Sequence, residues 1–194
     1  MAPAPKRPRN AAATRDAILQ SAIRNFARSG YDGVGVRDIA GDAGVTAMMV
    51  NRYFGSKQHL FAEAVEVAFA PPKVIVEDAA ALARDSAAAL VARTQRDADG
   101  LEPFLIMLRS VSNPRAAEIV RDGIERHVGT RLARQLPEPG RQLRNELMLS
   151  VIAGVLLMRR VVATRALSAA DPAELVDALD AVFGSIIETP LHGR

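Results

Sequence analysis

Among its 194 residues the chain has no cysteine, no tryptophan and only three histidines, and aromatic residues make up just 4%. The lack of cysteine excludes a disulfide scaffold, a thiolate nucleophile and a cysteine-ligated metal site. His59, His127 and His192 stand far apart, none three or four residues from another, so no histidine metal site and no cofactor are expected. Long apolar runs are missing too. The longest, Leu147 to Met158, reads LMLSVIAGVLLM and stops at Arg159-Arg160. That falls short of the ~20 residues a membrane-spanning helix needs. No apolar signal core follows the N-terminus. A buried helix in a cytoplasmic protein, without membrane contact, is the expectation.

What the chain does have is 49% hydrophobic and 24% charged residues, a globular composition. Alanine is abundant and alternating β-branched runs are few, and both favour helix over strand. With so few aromatics, the core must be built from Ala, Leu, Val and Ile. An all-α fold follows, with about nine to ten helices on the spacing of breaks. The net charge of +3 is unevenly spread. Residues 1–60 hold nine Lys and Arg against four Asp, and the remainder is slightly acidic. A basic head on a near-neutral support suits a polyanionic partner.

Residues 1–13 are basic and proline-rich and are expected to form a flexible arm. Thr14 then stands where an N-cap belongs, with Asp16 in the first turn. Ile18, Leu19, Ala22, Ile23, Phe26 and Ala27 make one apolar stripe that ends at Gly30. A second short helix, Val36 to Ala43, turns inward Val36, Ile39, Ala40 and Ala43. Gly44-Val45 breaks it, and Thr46 caps a third helix reaching Phe54. Gly55 closes that one, and Ser56 caps a fourth running to Phe69, before Pro71-Pro72. Two short helices joined by a glycine-containing turn are the helix-turn-helix pattern. Further helices are expected at 74–84, 86–97, 101–111, 115–136, 141–166 and 172–188, broken at Asp85-Ser86, Asp99-Gly100, Asn113-Pro114, residues 137–140 and Asp171-Pro172.

The third helix carries the chemistry. Val50 and Phe54 lie four apart on one side, facing the first two helices. Met48, Asn51 and Arg52 emerge opposite, with Met49 and Tyr53 flanking, and no acid occurs between Val45 and Lys57. A helix packed only within its own domain would show Glu and Lys on its outer face. Asn pairs bidentately with adenine, Arg with guanine or phosphate, and an apolar side chain meets the thymine methyl. Lys57, at the start of the next helix, adds a cation beside free backbone N–H groups, a phosphate-gripping arrangement.

The stretch TRDAILQSAIRNFARSGYDGVGVRDIAGDAGVTAMMVNRYFGSKQHLF resembles the DNA-binding head of the tetracycline-repressor (TetR) family. The likeness lies in the first helix ending FARSGY, the VRDIAGDAGV helix and turn, the aromatic pair closing the third helix, and GSK before an apolar fourth. It implies a head at 14–56 and an effector-binding and dimerisation body at 57–194. It also implies that Thr46, Ala47, Met48, Asn51, Arg52 and Tyr53 face double-stranded DNA, while Lys57 and Arg37 hold phosphates. Two departures stand out. The family usually has Tyr at the position of Asn51, a phosphate contact, so Asn51 takes either a base or a phosphate. It usually has Thr or Ser near Gly35, and glycine caps the second helix there at a cost of only a few tenths of a kcal/mol.

Two heads read two half-sites of a near-palindromic operator when the chain is a homodimer. The candidate dimer face is Leu147, Val151, Val155 and Met158 on one helix with Leu175, Leu179, Val182 and Ile186 on the last. Both helices are apolar over an arc wide enough for two partners. Candidate effector contacts are Phe104, Met107, Leu108 and Val111, with Met148 and Ile152 expected opposite, although Met and Phe at helical spacing also describe plain core. The function expected is a ligand-responsive transcriptional repressor, not an enzyme. No nucleophile–base pair or convergent carboxylates are present for catalysis. The alternative is a helical protein-interaction adaptor with a vestigial DNA-binding head.

Overall fold

The computed structural model describes residues 8–70, 81–95 and 100–190. These form eleven α-helices with no strand: α1 Pro8–Ser29, α2 Val36–Asp42, α3 Ala47–Phe54, α4 Lys57–Phe69, α5 Leu82–Arg93, α6 Glu102–Ser110, α7 Pro114–Gly123, α8 Thr130–Gln135, α9 Arg141–Leu156, α10 Arg165–Ala169 and α11 Pro172–Glu188. A π-helical turn, Ile124–Gly129, links α7 to α8, and a second, Leu157–Val161, continues α9.

Several boundaries differ from the sequence reading. The first helix begins at Pro8, so residues 8–13 belong to α1 rather than to an arm, and Thr14 is interior rather than an N-cap. Proline is tolerated in a first turn and Ala11-Ala12-Ala13 is a strong helix-forming run. Residues 1–7 lie outside the described residues, as does most of the helix expected at 74–84. The break expected at Asp85-Ser86 is absent because Asp85 sits in the first turn of α5, where an acid favours the helix dipole. The helix expected at 141–166 stops early: Val162 and Thr164 donate their N–H groups to Leu157 and Met158, and Ala163 adopts φ 55°.

By contacts the chain divides into two compact units. One comprises Met1–Ala70 with Glu102–Ile124, the other Pro71–Leu101 with Glu125–Arg194. The first unit thus extends past residue 56, the expected end of the head. Helices α1 to α3 bury too little by themselves. Leu60, Phe61, Ala64 and Val65 of α4, Ile106 of α6, and Ala116 and Val120 of α7 complete their core. Every member of the α1 stripe is buried in it, with Phe26 and Phe61 edge-to-face at 4.9 Å.

Polar groups fix how α2 sits on α1. Buried Ser21 donates to the Ile39 carbonyl at 2.9 Å, and buried Asn25 donates to the Asp42 carboxylate at 2.7 Å. Arg28 donates to Asn25 Oδ1 at 2.6 Å, which closes the network. Satisfied networks of this kind specify one packing arrangement. At the end of α1, Gly30 has φ +71°, and a Cβ there would lie 2.1 Å from the Arg109 carbonyl oxygen. Arg109 in turn donates to the Ala27 carbonyl, and Ser110 Oγ accepts the Tyr31 N–H at 3.1 Å.

In the second unit α11 packs on α5 and more lightly on α9. Leu82, Ala87, Leu90 and Val91 of α5 are buried, as are Leu175, Leu179 and Phe183 of α11. Buried Arg144 braces this unit. It donates to the carbonyls of Ile187 at 3.0 Å and Thr189 at 2.6 Å, and to that of Pro139. The first two are orphan acceptors at the end of α11.

Gly30→Ala should lower stability by about 3 kcal/mol, since it combines a left-handed backbone with a clash against peptide atoms. A urea titration followed by circular dichroism checks it. An unchanged midpoint would mean that α6 does not approach α1 as described.

Candidate nucleic-acid interface

The glycine turn between α2 and α3 is built as its residues require. Gly44 has φ +67°, and the Val45 N–H returns to the Ala40 carbonyl at 2.9 Å. Asp38 accepts the Gly35 N–H at 2.8 Å, so the start of α2 is held from the third helical residue. Thr46 caps α3 by accepting the Met49 N–H, and Ser56 caps α4 by accepting the His59 N–H at 3.1 Å.

Helix α3 divides sharply into two faces. Val50 and Phe54 are 2% and 4% exposed, whereas Met48 is 81% exposed. Thr46, Asn51, Arg52 and, on α2, Arg37 are exposed, and Met49 is half-buried. Ala47 and Tyr53 lean against the core and are half-buried. Among the described residues Arg37 and Arg52 make no ion pair, so both guanidinium groups are open to an anion. By contrast Arg15, outside this face, pairs with Glu63 and lies 4.7 Å over the Phe54 ring.

Lys57 is less free than its sequence position implies. It is half-buried, with its ammonium 4.5 Å above the Tyr31 ring. Tyr31 itself stands edge-on to Phe61 at 4.9 Å. The ring steers the ammonium while leaving its N–H groups able to donate elsewhere. Tyr31 is a positioning residue that the periodicity argument missed, and its place two residues after Ser29 in FARSGY was the only signal. Between α1 and α2 lies an open groove of roughly 390 Å³ lined by Asn25, Arg28, Arg37, Asp38 and Asp42. It carries both charge signs, unlike the acid-free face of α3.

The effector candidates are split between the units. Phe104, Met107, Leu108 and Val111 belong to the first, Met148 and Ile152 to the second. Met107 packs on the first unit's core, Leu108 is half-buried, Phe104 is buried and Val111 is exposed. Met148 is fully buried and Ile152 half-buried. Of the dimer candidates, Leu147, Met158 and Val182 are exposed and Val151, Val155 and Ile186 half-exposed. Leu175 and Leu179 are buried within their own unit, which corrects their assignment to a partner-facing surface. The wide apolar arc of α11 spends that side on its own unit's core. Among the described residues no three His, Asp or Glu side chains gather as a metal site would need. None of the described helices is long and apolar enough to cross a membrane.

A helix-turn-helix whose second helix shows an acid-free outer face, in an all-α protein, is the pattern of a DNA-reading protein. Comparison with known proteins agrees. Residues 18–64 match the family described as bacterial regulatory proteins, tetR family, and residues 80–187 match the tetracyclin repressor-like C-terminal domain. The chain belongs to the TetR family of bacterial transcriptional regulators. A 77-residue stretch is 36% identical to the HTH-type transcriptional regulator BetI of Agrobacterium fabrum, covering 40% of this chain and 32% of that one. This chain thus aligns with about a third of the curated relative's length. Two solved structures share the fold. The multidrug binding protein EbrR complexed with ethidium has a TM-score of 0.68 at 20% identity, over 91% of this chain and 99% of that one. NalD, described as the secondary repressor of the MexAB-OprM multidrug efflux pump in Pseudomonas aeruginosa, has 0.63 at 20%, over 91% and 98%.

Phe54→Ala should cost about 3–5 kcal/mol of stability, and Met48→Ala should stay within about 0.5 kcal/mol. Denaturant midpoints of the two variants decide the matter. Equal losses would place Met48 in the interior.

Proposed function

We propose that the protein is a homodimeric, effector-responsive repressor that binds a near-palindromic operator on double-stranded DNA in the cytoplasm. The observation that carries this reading is the division of α3. Val50 and Phe54 anchor it, while Thr46, Met48, Asn51 and Arg52 are exposed on the outward side. In the proposed complex α3 enters the major groove. Asn51 and Arg52 address base edges, Met48 meets apolar base surface, and Ala47 and Tyr53 line the flanks. Lys57 and Arg37 clasp phosphates.

A pair of heads must stand about 34–36 Å apart, or at a multiple of that, to meet successive turns of one duplex face. The proposed dimer face is the exposed apolar side of α9 and α11, with Leu147, Val151, Val155 and Met158 opposite Val182 and Ile186. Leu143, 51% exposed, extends it. Repression follows from competing with polymerase for the operator. NalD is a repressor and EbrR a multidrug binder, which supports the reading of a responsive repressor. A hundredfold release from the operator requires the effector to prefer the DNA-incompetent state by about 2.7 kcal/mol.

The test is selection of bound sequences from a random DNA pool with purified protein. A two-fold symmetric motif is expected. Recovery of no motif, with no DNA shifted at any salt, would favour the protein-interaction adaptor. On the selected site, ~8 phosphate contacts per dimer give a slope of log K against log salt near about −7. A slope shallower than about −2 would contradict those contacts. Lys57→Ala should weaken all sequences alike, and Asn51→Ala should alter preference among them. Leu147→Glu combined with Val182→Glu should leave a folded monomer in sedimentation and abolish binding to the full site but not to a half-site. A dimer that survives both changes refutes the interface.

A further inference from the structure

The second unit holds a buried cation that the described residues leave partly unanswered. Arg159 lies in the π-helical turn that continues α9 and is only 9% exposed. Its Nη1 is buried without a hydrogen-bond partner, and the guanidinium makes no ion pair among the described residues. An arginine stays charged at any ordinary pH, and burying a charge unpaired is costly. Nearby arginines are treated otherwise. Arg160 donates to the carbonyls of Gln95 and, at 3.4 Å, Arg93. Arg144, near the start of α9 and also buried, spends its N–H groups on carbonyls. Packing alone gives no reason for a charge at position 159, because methionine or leucine would fill the space without the penalty.

The helix face leading to it is apolar. Met148, Ile152 and Leu156, four residues apart, share one side of α9, and Arg159 follows Leu156 by three residues in the π-helical turn. Met148 and Leu156 are buried and Ile152 is half-buried. A π-helical turn re-aims the side chains it carries and recurs at functional sites. An apolar track that ends in an unpaired guanidinium has the complementarity of an amphiphile with an anionic head.

We propose that Arg159 anchors an organic carboxylate whose apolar body lies against half-buried Ile152, beside the buried Met148 and Leu156, which makes the effector an anionic amphiphile. The proposal rests on the effector-responsive reading above and specifies its ligand class. The planar guanidinium offers a carboxylate two parallel N–H bonds, and binding neutralises the buried charge. Ethidium, held by EbrR, is an organic cation, so the specificity assigned here is of the opposite sign.

The test uses the full chain in calorimetry and thermal denaturation, with octanoate and 4-phenylbutyrate against octanamide and 4-phenylbutyramide. Wild type should bind each acid at least tenfold more tightly than its amide and gain thermal stability from it. Arg159→Met should bind acid and amide alike while unfolding at no lower temperature than ligand-free wild type. Arg159→Lys, which keeps the charge and loses the fork, should fall between. The proposal is overturned if wild type binds none of the acids, if it binds acids and amides equally, as a water on Nη1 would allow, or if Arg159→Met keeps the preference. Operator release, measured separately, distinguishes the two readings. Acids that bind without releasing DNA support the anion site and refute the effector-responsive repressor. Release by ethidium or octylammonium but by no acid supports that repressor and refutes the anion site.

Discussion

The burial of Val50 and Phe54 is the constraint on which the rest depends. Helix α3 has only eight residues, Ala47–Phe54, too few to be stable alone in water. Its helicity comes from those two side chains seated in the core of α1, α2 and α4 and from the Thr46 cap. Once they are seated, helical geometry leaves no freedom in where Met48, Asn51 and Arg52 point. The outward face is therefore set by the side that is buried.

The support behind that face is graded. Ser21, Asn25, Arg28 and Asp42 tie α2 to α1, and Tyr31 carries Lys57 while its own N–H is held by Ser110 of α6. Ion pairs on the surface, such as Arg84 with Asp177 and Asp180, add little by comparison. Solvent screens them, and ordering long side chains costs entropy. The hydrogen bonds that Arg84 donates to Asp177 and Asp180 raise its pKa further above its already high value, so its charge is constant across any working pH.

The head was legible in the sequence because its determinants are local. The α1 stripe, the glycine turn, Thr46 and Ser56 as caps, and the two faces of α3 all follow from spacing within a dozen residues. The start of α1 was misread because proline signals loop in composition yet fits a helix's first turn, and Ala11 to Ala13 decided the matter. The body was less legible. Leu175 and Leu179 read as a dimer surface because periodicity shows that a face is apolar, not which neighbour covers it; α5 does. Nothing in the local sequence marks Arg144 or Arg159 as buried. Their burial depends on chain far away, with Arg144 reaching carbonyls at Ile187 and Thr189. Asn51 was legible as a polar contact but not as a base or phosphate contact, because the free protein leaves it exposed with no partner to fix its geometry.

The central claim, that the outward face of α3 is the one that meets DNA, is most directly tested by methyl NMR. Protein labelled with ¹³C-methyl methionine is recorded with and without an operator-length duplex that it binds. The account predicts that the Met48 methyl, 81% exposed in the free protein, shifts strongly and becomes shielded from a soluble paramagnetic agent. Met148, fully buried in the other unit, should stay shielded from that agent throughout. Bound DNA that leaves the Met48 signal unmoved and open to solvent would contradict it.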